Sequence, residues 1–228
     1  MTMTDSNRGH VLPIYVLADE SGSMTDLIDD LNDGLRSLHR TLLGEPMAAA
    51  KVRFSVLGFS DDVVERVHLA DLRGTDEFPL LTPRGRTSYL AAFEDLIDRI
   101  PADVRSLKAE GYQVHRPAVF LLSDGRPNPD EDWKDAHRRL TDRNTTLAAP
   151  NVIACGIVDA DARTIDEVAT RPEFGFVAEK GADVGAVIAK FCAALTASVI
   201  ASGRSLDSAH PVLEVEKPEG FTVAIDVI

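Results

Sequence analysis

Cysteine is almost missing from this chain: Cys155 and Cys192 are the only two among 228 residues. Two thiols cannot build a disulfide framework. Both lie in apolar surroundings (Val152-Ile153-Ala154-Cys155 and Phe191-Cys192-Ala193-Ala194), as expected of buried, reduced side chains. Basic residues are also scarce. Lys and Arg number 24 against 37 Asp and Glu, a formal charge of −13. That balance argues against a duplex nucleic-acid binder, which carries a basic stripe; an acidic surface instead keeps the chain soluble and steers basic or metal-bearing partners.

Long apolar runs are lacking too. The first ten residues include Asp5 and no apolar stretch leading to a cleavage site, so no signal peptide is expected. The most apolar later stretch, Val184 to Ile200, is interrupted by Lys190 and too short for a membrane span. The expectation is a soluble, cytoplasmic protein that binds neither membrane nor nucleic acid.

Catalytic signatures are the third absence. Neither Gly-x-Gly-x-x-Gly nor a Gly-Lys-Ser/Thr phosphate loop occurs. Ser21 and Ser23 lie in Glu-Ser-Gly-Ser-Met, outside any Gly-x-Ser-x-Gly elbow. The six histidines, His10, His39, His68, His115, His137 and His210, are dispersed with no partner motif. A phosphatase that uses Asp-x-Asp would need an aspartate at position 21, which is serine. A magnesium-dependent hydrolase or phosphatase of α/β fold is therefore the weaker alternative, and the chain reads as a non-enzyme.

What is present is a regular alternation of strand and helix patterns. Val11–Ala18 reads as a buried strand, and Leu27, Leu31, Leu35, Leu38 and Leu42 recur at helical spacing after it. Asp26, Asp29, Asp30 and Asp33 crowd that helix's early turns, favourable beside its N-terminal dipole and read as an exposed face. Val52 to Phe59 and Val63 to Leu69 form a hairpin, which places one antiparallel strand at a sheet edge. A helix with Leu90, Phe93, Leu96, Ile97 and Ile100 inward is expected to end at Pro101. Ala118–Leu122 is a continuous apolar run, as a central parallel strand requires. A helix from Asp130 to about Leu147, a strand at Val152–Val158, a short helix near Arg163–Thr170, a strand at Phe174–Val177 and a long helix at Asp183–Ser202 follow.

The expected fold is α/β: a Rossmann-like, doubly wound, mostly parallel six-stranded sheet with helices on both faces. It occupies residues 1–203. Residues 204–228 read as a linker and a C-terminal β-hairpin, Val212–Glu216 and Phe221–Ile228, with Phe221, Val223, Ile225 and Val227 on one face.

One segment carries the chemistry. Asp19-Glu20-Ser21-Gly22-Ser23 follows the first buried strand and precedes a helix, so a carboxylate and two hydroxyls at alternate positions face one point. Hard divalent cations take such oxygen ligands. Thr87, just before a helix, and Asp124, directly after the central apolar strand, are two further oxygen-rich points. In an open α/β sheet ligands collect at the carboxyl ends of strands where the winding reverses. If the first strand and the Val119 strand are neighbours there, Asp19 and Asp124 meet.

With these residues the chain resembles the von Willebrand factor A domain, whose metal-ion-dependent adhesion site combines Asp-x-Ser-x-Ser with a distant Thr and a distant Asp followed by Gly. The matching residues are Asp19, Ser21, Ser23, Thr87 and Asp124, with Gly125, and the likeness spans about residues 10 to 203. Leu12-Pro13-Ile14-Tyr15 leading into Asp19–Met24 is similar to the bacterial tellurium-resistance TerY-type branch, associated with stress-response systems. One departure is Gly85-Arg86-Thr87 where the family often has Gly-Gly-Thr; Arg86 is expected to point into solvent. The resemblance implies Mg²⁺ (with Mn²⁺ or Ca²⁺ as substitutes) at the five residues and a protein partner whose Asp or Glu completes the metal shell. It also implies that the last helix can shift and alter the site. Trp133 is expected to pack within its helix rather than border the binding face.

Overall fold

In a computed structural model that describes residues 8–75, 78, 80–124 and 126–224, one twisted sheet runs through the middle of the molecule. Its elements, in chain order, are β1 (His10–Asp19), α1 (Ile28–Leu43), a short α2 (Pro46–Ala49), β2 (Val52–Phe59), β3 (Val63–Ala70), α3 (Tyr89–Ala109), β4 (Gln113–Val114), β5 (Ala118–Ser123), α4 (Trp133–Thr141), β6 (Asn151–Gly156), α5 (Ala162–Val168), β7 (Gly175–Ala178), α6 (Val184–Ser205) and β8 (Phe221–Val223). The sheet order is β3-β2-β1-β5-β6-β7-β8, with the two-residue β4 pairing the start of β1. All neighbours are parallel except at the edges, where β3 joins β2 and β8 joins β7 antiparallel.

The apolar runs explain why the central strands lie where they do. Along β1, Leu12, Ile14, Val16 and Ala18 enter one core, with α1 and α6, while Tyr15 and Leu17 enter the other, with α3 and α4. A strand covered on both faces must be apolar at every position, so a continuous run replaces alternation. Cys155 and Cys192 are free, buried thiols, as their surroundings suggest. Burial pushes the Cys155 thiol far above its usual range and Cys192 up to about 12, so both stay protonated.

Several expectations need correction. The six anticipated strands are β1, β2, β3, β5, β6 and β7, and two more, β4 and β8, make eight. The C-terminal hairpin does not form. Residues 212–216 contain no strand; they run along α6, where the backbone N–H groups of Val212, Glu214 and Glu216 donate to the hydroxyls of Ser205, Ser202 and Ser198 at 2.8, 2.9 and 2.9 Å. Phe221–Val223 then pairs with β7 (Phe176↔Val223, Val177↔Thr222, Ala178↔Phe221). An isolated hairpin is marginal, whereas a helix-bound strap and an open sheet edge both supply partners for backbone donors. Ile225 and Val227 lie outside the described residues, as do Gly125 and Pro79.

Helix ends also differ. Pro101 does not close α3, which continues to Ala109. Val104 and Leu107 beyond it are buried, and Asp103 accepts from Tyr15 Oη at 2.9 Å, so packing outweighs the backbone hydrogen bond that proline removes. Helix α4 is shorter than anticipated because Asp142 accepts from Asn144 N at 2.8 Å and Thr145 Oγ1 at 2.7 Å, turning the chain after Thr141. Helix α6, at 22 residues, is long and apolar enough to cross a bilayer; here Val187, Ile188, Phe191, Leu195 and Val199 are buried within the fold.

Candidate metal centre

Between β1 and β5 the winding of the sheet reverses: from β1 the chain moves outward to β2 and β3, and from β5 it moves the other way to β6 and β7. Register pairs Asp19 with Phe59 and Ala18 with Leu122, so Asp19 ends one central strand and Asp124 follows directly on its neighbour. The crevice beyond these strand ends is where α/β folds place ligands.

Asp19 is fully buried. Its Oδ1 accepts from Ser21 N at 2.8 Å and its Oδ2 from Ser123 Oγ at 2.6 Å. Burial pushes its pKa up to about 6; the Asp124 charge adds to the rise, and the Ser123 and Ser21 hydrogen bonds offset part of it. Residues 22–24 form a single tight helical turn, which brings Ser21 Oγ and Ser23 Oγ to 3.1 Å. Ser21 is buried, Ser23 opens to solvent, and Asp124 is half-buried.

Thr87 is reached through a lattice of backbone bonds. Gly22 N donates to Gly85 O at 3.1 Å, and Arg84 N donates to Glu20 O, tying the Thr87 loop to the first loop. Ser88 N donates to Ser60 O at 2.9 Å, and Asn128 N donates to Thr87 O at 2.9 Å, tying the same segment to the β2–β3 turn and to the loop after Asp124. Thr87 itself is buried, and the next residue, Ser88, caps α3 by accepting from Ala91 N at 3.0 Å. The three loops that carry the five predicted residues are thus stitched to one another.

Glu20, between Asp19 and Ser21, escaped the sequence reading and organises the site from behind. It is fully buried and accepts from Arg66 Nε at 3.0 Å, Arg84 Nε at 2.7 Å and Thr82 N at 3.0 Å. Its carboxylate lies on Gly58, where a Cβ would collide with it; that glycine is needed for close approach. No sequence spacing links residues 20, 66 and 84, so only the fold reveals this cluster. Ser123 and Asn128 were missed as well, although Ser123 adjoins Asp124 in sequence.

The neighbours resolve other expectations. Arg86 is largely solvent-exposed and reaches Asp130 Oδ1 at 3.3 Å, as expected of a side chain pointing outward. Trp133 is buried edge-on against Tyr89, with ring centroids 5.7 Å apart, and serves packing. Asp29, Asp30 and Asp33 are exposed on α1, and Asp26 is exposed in the turn before it. Among the described residues no three His, Cys, Asp or Glu side chains gather as a metal cluster.

The donor set nevertheless suits a hard cation. Two carboxylates and three hydroxyls are all oxygen, with no imidazole or thiolate to favour softer metals. Asp19 also supplies a specific sign of fit: among the described residues this buried carboxylate meets only hydroxyl and amide donors, whereas the adjacent Glu20 faces two guanidiniums. Asp19, Ser21, Ser23, Thr87 and Asp124 are the residues that would hold such a cation.

No family model matches the sequence, and no curated protein does. Solved structures share its fold. The zinc-occupied form of proximal thread matrix protein 1 from the mussel byssus superposes with a TM-score of 0.57 at 16% identity, covering 83% of this chain and 48% of that one. The pilus adhesin SpaC of Lactobacillus rhamnosus GG gives 0.64 at 13% identity, covering 84% and 30%. A von Willebrand factor type A protein from Catenulispora acidiphila gives 0.51 at 15% identity, covering 84% and 43%. The chain therefore has the von Willebrand factor type A fold, a Rossmann-like α/β architecture, and spans less than half the length of these three structures. The zinc in the mussel protein occupies a metal-ion-dependent adhesion motif.

Proposed function

We propose that this chain is a protein-binding module whose binding depends on a divalent cation held by Asp19, Ser21, Ser23, Thr87 and Asp124. The observation that carries the reading is the contrast between neighbouring buried carboxylates: Glu20 is neutralised by Arg66 and Arg84, whereas among the described residues Asp19 meets no cationic side chain. Mg²⁺ is the cation proposed, with Mn²⁺ or Ca²⁺ as substitutes, because every donor is a hard oxygen.

When bound, the cation supplies an electrophilic coordination position that an external carboxylate can take. The chain's own residues set the terms. Asp19 is oriented by Ser21 N and Ser123 Oγ, and the Ser21 and Ser23 hydroxyls contribute no formal charge. A shell with few anionic ligands leaves the cation unsaturated, so an Asp or Glu of the partner completes it. The surrounding loops choose which partner.

The module is read here as non-enzymatic, and the partners that the histidines do have are in keeping with that reading. No histidine bonds either hydroxyl among the described residues: His137 bonds Val168 O, His39 bonds Leu72 O, and His10 bonds His115. A cytoplasmic setting rests on the reading of the first ten residues and of the Val184–Ile200 stretch, and a tellurium-resistance or stress-response context on the sequence resemblance alone.

Isothermal titration tests the metal: micromolar-to-millimolar Mg²⁺ or Mn²⁺ binding is expected, and unchanged binding in Asp19→Ala would overturn the reading. Co-purification with and without chelator tests the partner. Hydrolysis of a generic phosphate ester by the same sample, lost in Asp19→Ala, would favour the enzymatic alternative instead.

A further inference from the structure

At the opposite end of the sheet from Asp19, the strand starts enclose a cavity of about 370 Å³. Arg116 precedes β5, Asn151 begins β6 and Arg171 lies in the turn before β7, while Arg143 comes from the loop after α4. Leu12, Phe174 and Leu206 give it an apolar floor, and the strap residues Pro211–Leu213 form one wall. Among the described residues no carboxylate lines it.

That composition is the reverse of the chain as a whole, which carries 13 more acidic than basic residues. Arg116 and Arg143 form no ion pair among the described residues. Arg116 donates to the Ala149 carbonyl, and Arg143 Nη2 donates to Asn151 Oδ1 at 2.9 Å. Arg171 lies over the Phe174 ring, 5.3 Å from its centroid, and pairs with Glu173 at 3.7 Å, both side chains being exposed. Carbonyl, amide and ring orient these guanidiniums without cancelling the charge of Arg116 and Arg143. Burial lowers the Arg116 pKa first, and the nearby Arg143 charge lowers it further, so the two cations feel one another.

Mutually repelling, pre-oriented guanidiniums around a concave space are what a multidentate oxyanion requires. Planar forks match phosphate oxygens two at a time, and a cavity of this size takes a small ligand. We propose that this pocket binds a small phosphorylated molecule, its phosphate held by Arg116, Arg143 and Arg171 and its apolar body lying against Phe174 and the strap. The site is independent of the cation centre, because it lies at the amino ends of strands whose carboxyl ends carry Asp19 and Asp124.

The test is calorimetry on the full chain in metal-free buffer, with inorganic pyrophosphate, AMP and ribose 5-phosphate as probes. Binding in the micromolar-to-millimolar range is expected, weakened by added salt and unchanged in Asp19→Ala. A preference for AMP would identify the apolar surface as a base platform, and equal binding of all three would identify the phosphate as the sole determinant. Arg143 is exposed and among the described residues bonds Asn151, so Arg143→Glu should weaken binding by about tenfold or more. Arg138→Glu, on the outer face of α4, should leave it intact. If none of the probes binds at millimolar concentration, or if Arg143→Glu and Arg171→Glu both bind as wild type does while remaining folded by circular dichroism, the proposal is wrong.

Discussion

Asp19 and Glu20 are consecutive, fully buried carboxylates that point to opposite sides of the chain into opposite electrostatic surroundings. Glu20 receives two guanidiniums and a backbone amide, and Asp19 receives one hydroxyl and one backbone amide. The first is a structural anchor and the second is the carboxylate of the proposed cation centre. Four predictions rest on this and on the way the last helix and α4 are held.

Asp19→Asn should leave the metal-free protein as stable as wild type or more so, because it removes a charge that burial penalises. It should also abolish stabilisation by Mg²⁺. For a cation that binds only the folded state, wild type gains about 2.7 kcal/mol when the cation is at a hundred times its Kd. Thermal unfolding with and without Mg²⁺ measures both effects, and an equal Mg²⁺ shift in the two proteins would contradict the assignment.

Arg84→Ala removes one of the two cations facing a fully buried carboxylate and loosens the segment that carries Thr87. Because Arg66 remains, the loss should be about 3 kcal/mol, the lower end of the range for breaking a buried pair. Urea denaturation reads the stability. Mg²⁺ titration of the folded fraction should show weaker binding, although Arg84 is not among the proposed ligands.

Ser202 is fully buried and both accepts from Glu214 N at 2.9 Å and donates to Glu214 O at 3.1 Å. Ser202→Ala leaves both backbone groups of Glu214 without that partner, at a cost of about 1–3 kcal/mol. Hydrogen exchange should accelerate at the Val212, Glu214 and Glu216 amides and spread into the end of α6. Unchanged exchange there would show that the strap does not hold the helix.

His137 is packed against the Phe93 and Trp133 rings, with Nε2 bonded to Val168 O at 2.8 Å, and burial holds its pKa below the usual histidine value. The unfolded chain therefore takes up this proton first, so the contribution is complete above about pH 6.5 and is lost as pH falls below it. Wild type should lose more stability than His137→Gln on acidification from about pH 7.5 to 5.5, at no more than roughly 1.4 kcal/mol per pH unit from this group. Parallel denaturation curves at the two pH values measure the difference.

Much of the sheet was legible because burial on both faces writes itself into composition. Runs such as Val119–Leu122 cannot lie on a surface, and the leucines of α1 can face only one way. The same logic places Asp19 and Asp124 directly after apolar strands. Element ends were less readable: Pro101 lies inside α3 because Val104 and Leu107 pack beyond it, a preference no local rule contains.

What sequence alone determined is therefore the order of strands and helices and the position of Asp19, Ser21, Ser23, Thr87 and Asp124 along them, since periodicity and turn chemistry are local properties. Tertiary structure alone decided that Glu20 would meet Arg66 and Arg84, that residues 212–216 would bind the serines of α6, and that three arginines would share one cavity. Each of those brings together residues from separate elements, and only the folding of the sheet, with burial of its two faces, sets such distances.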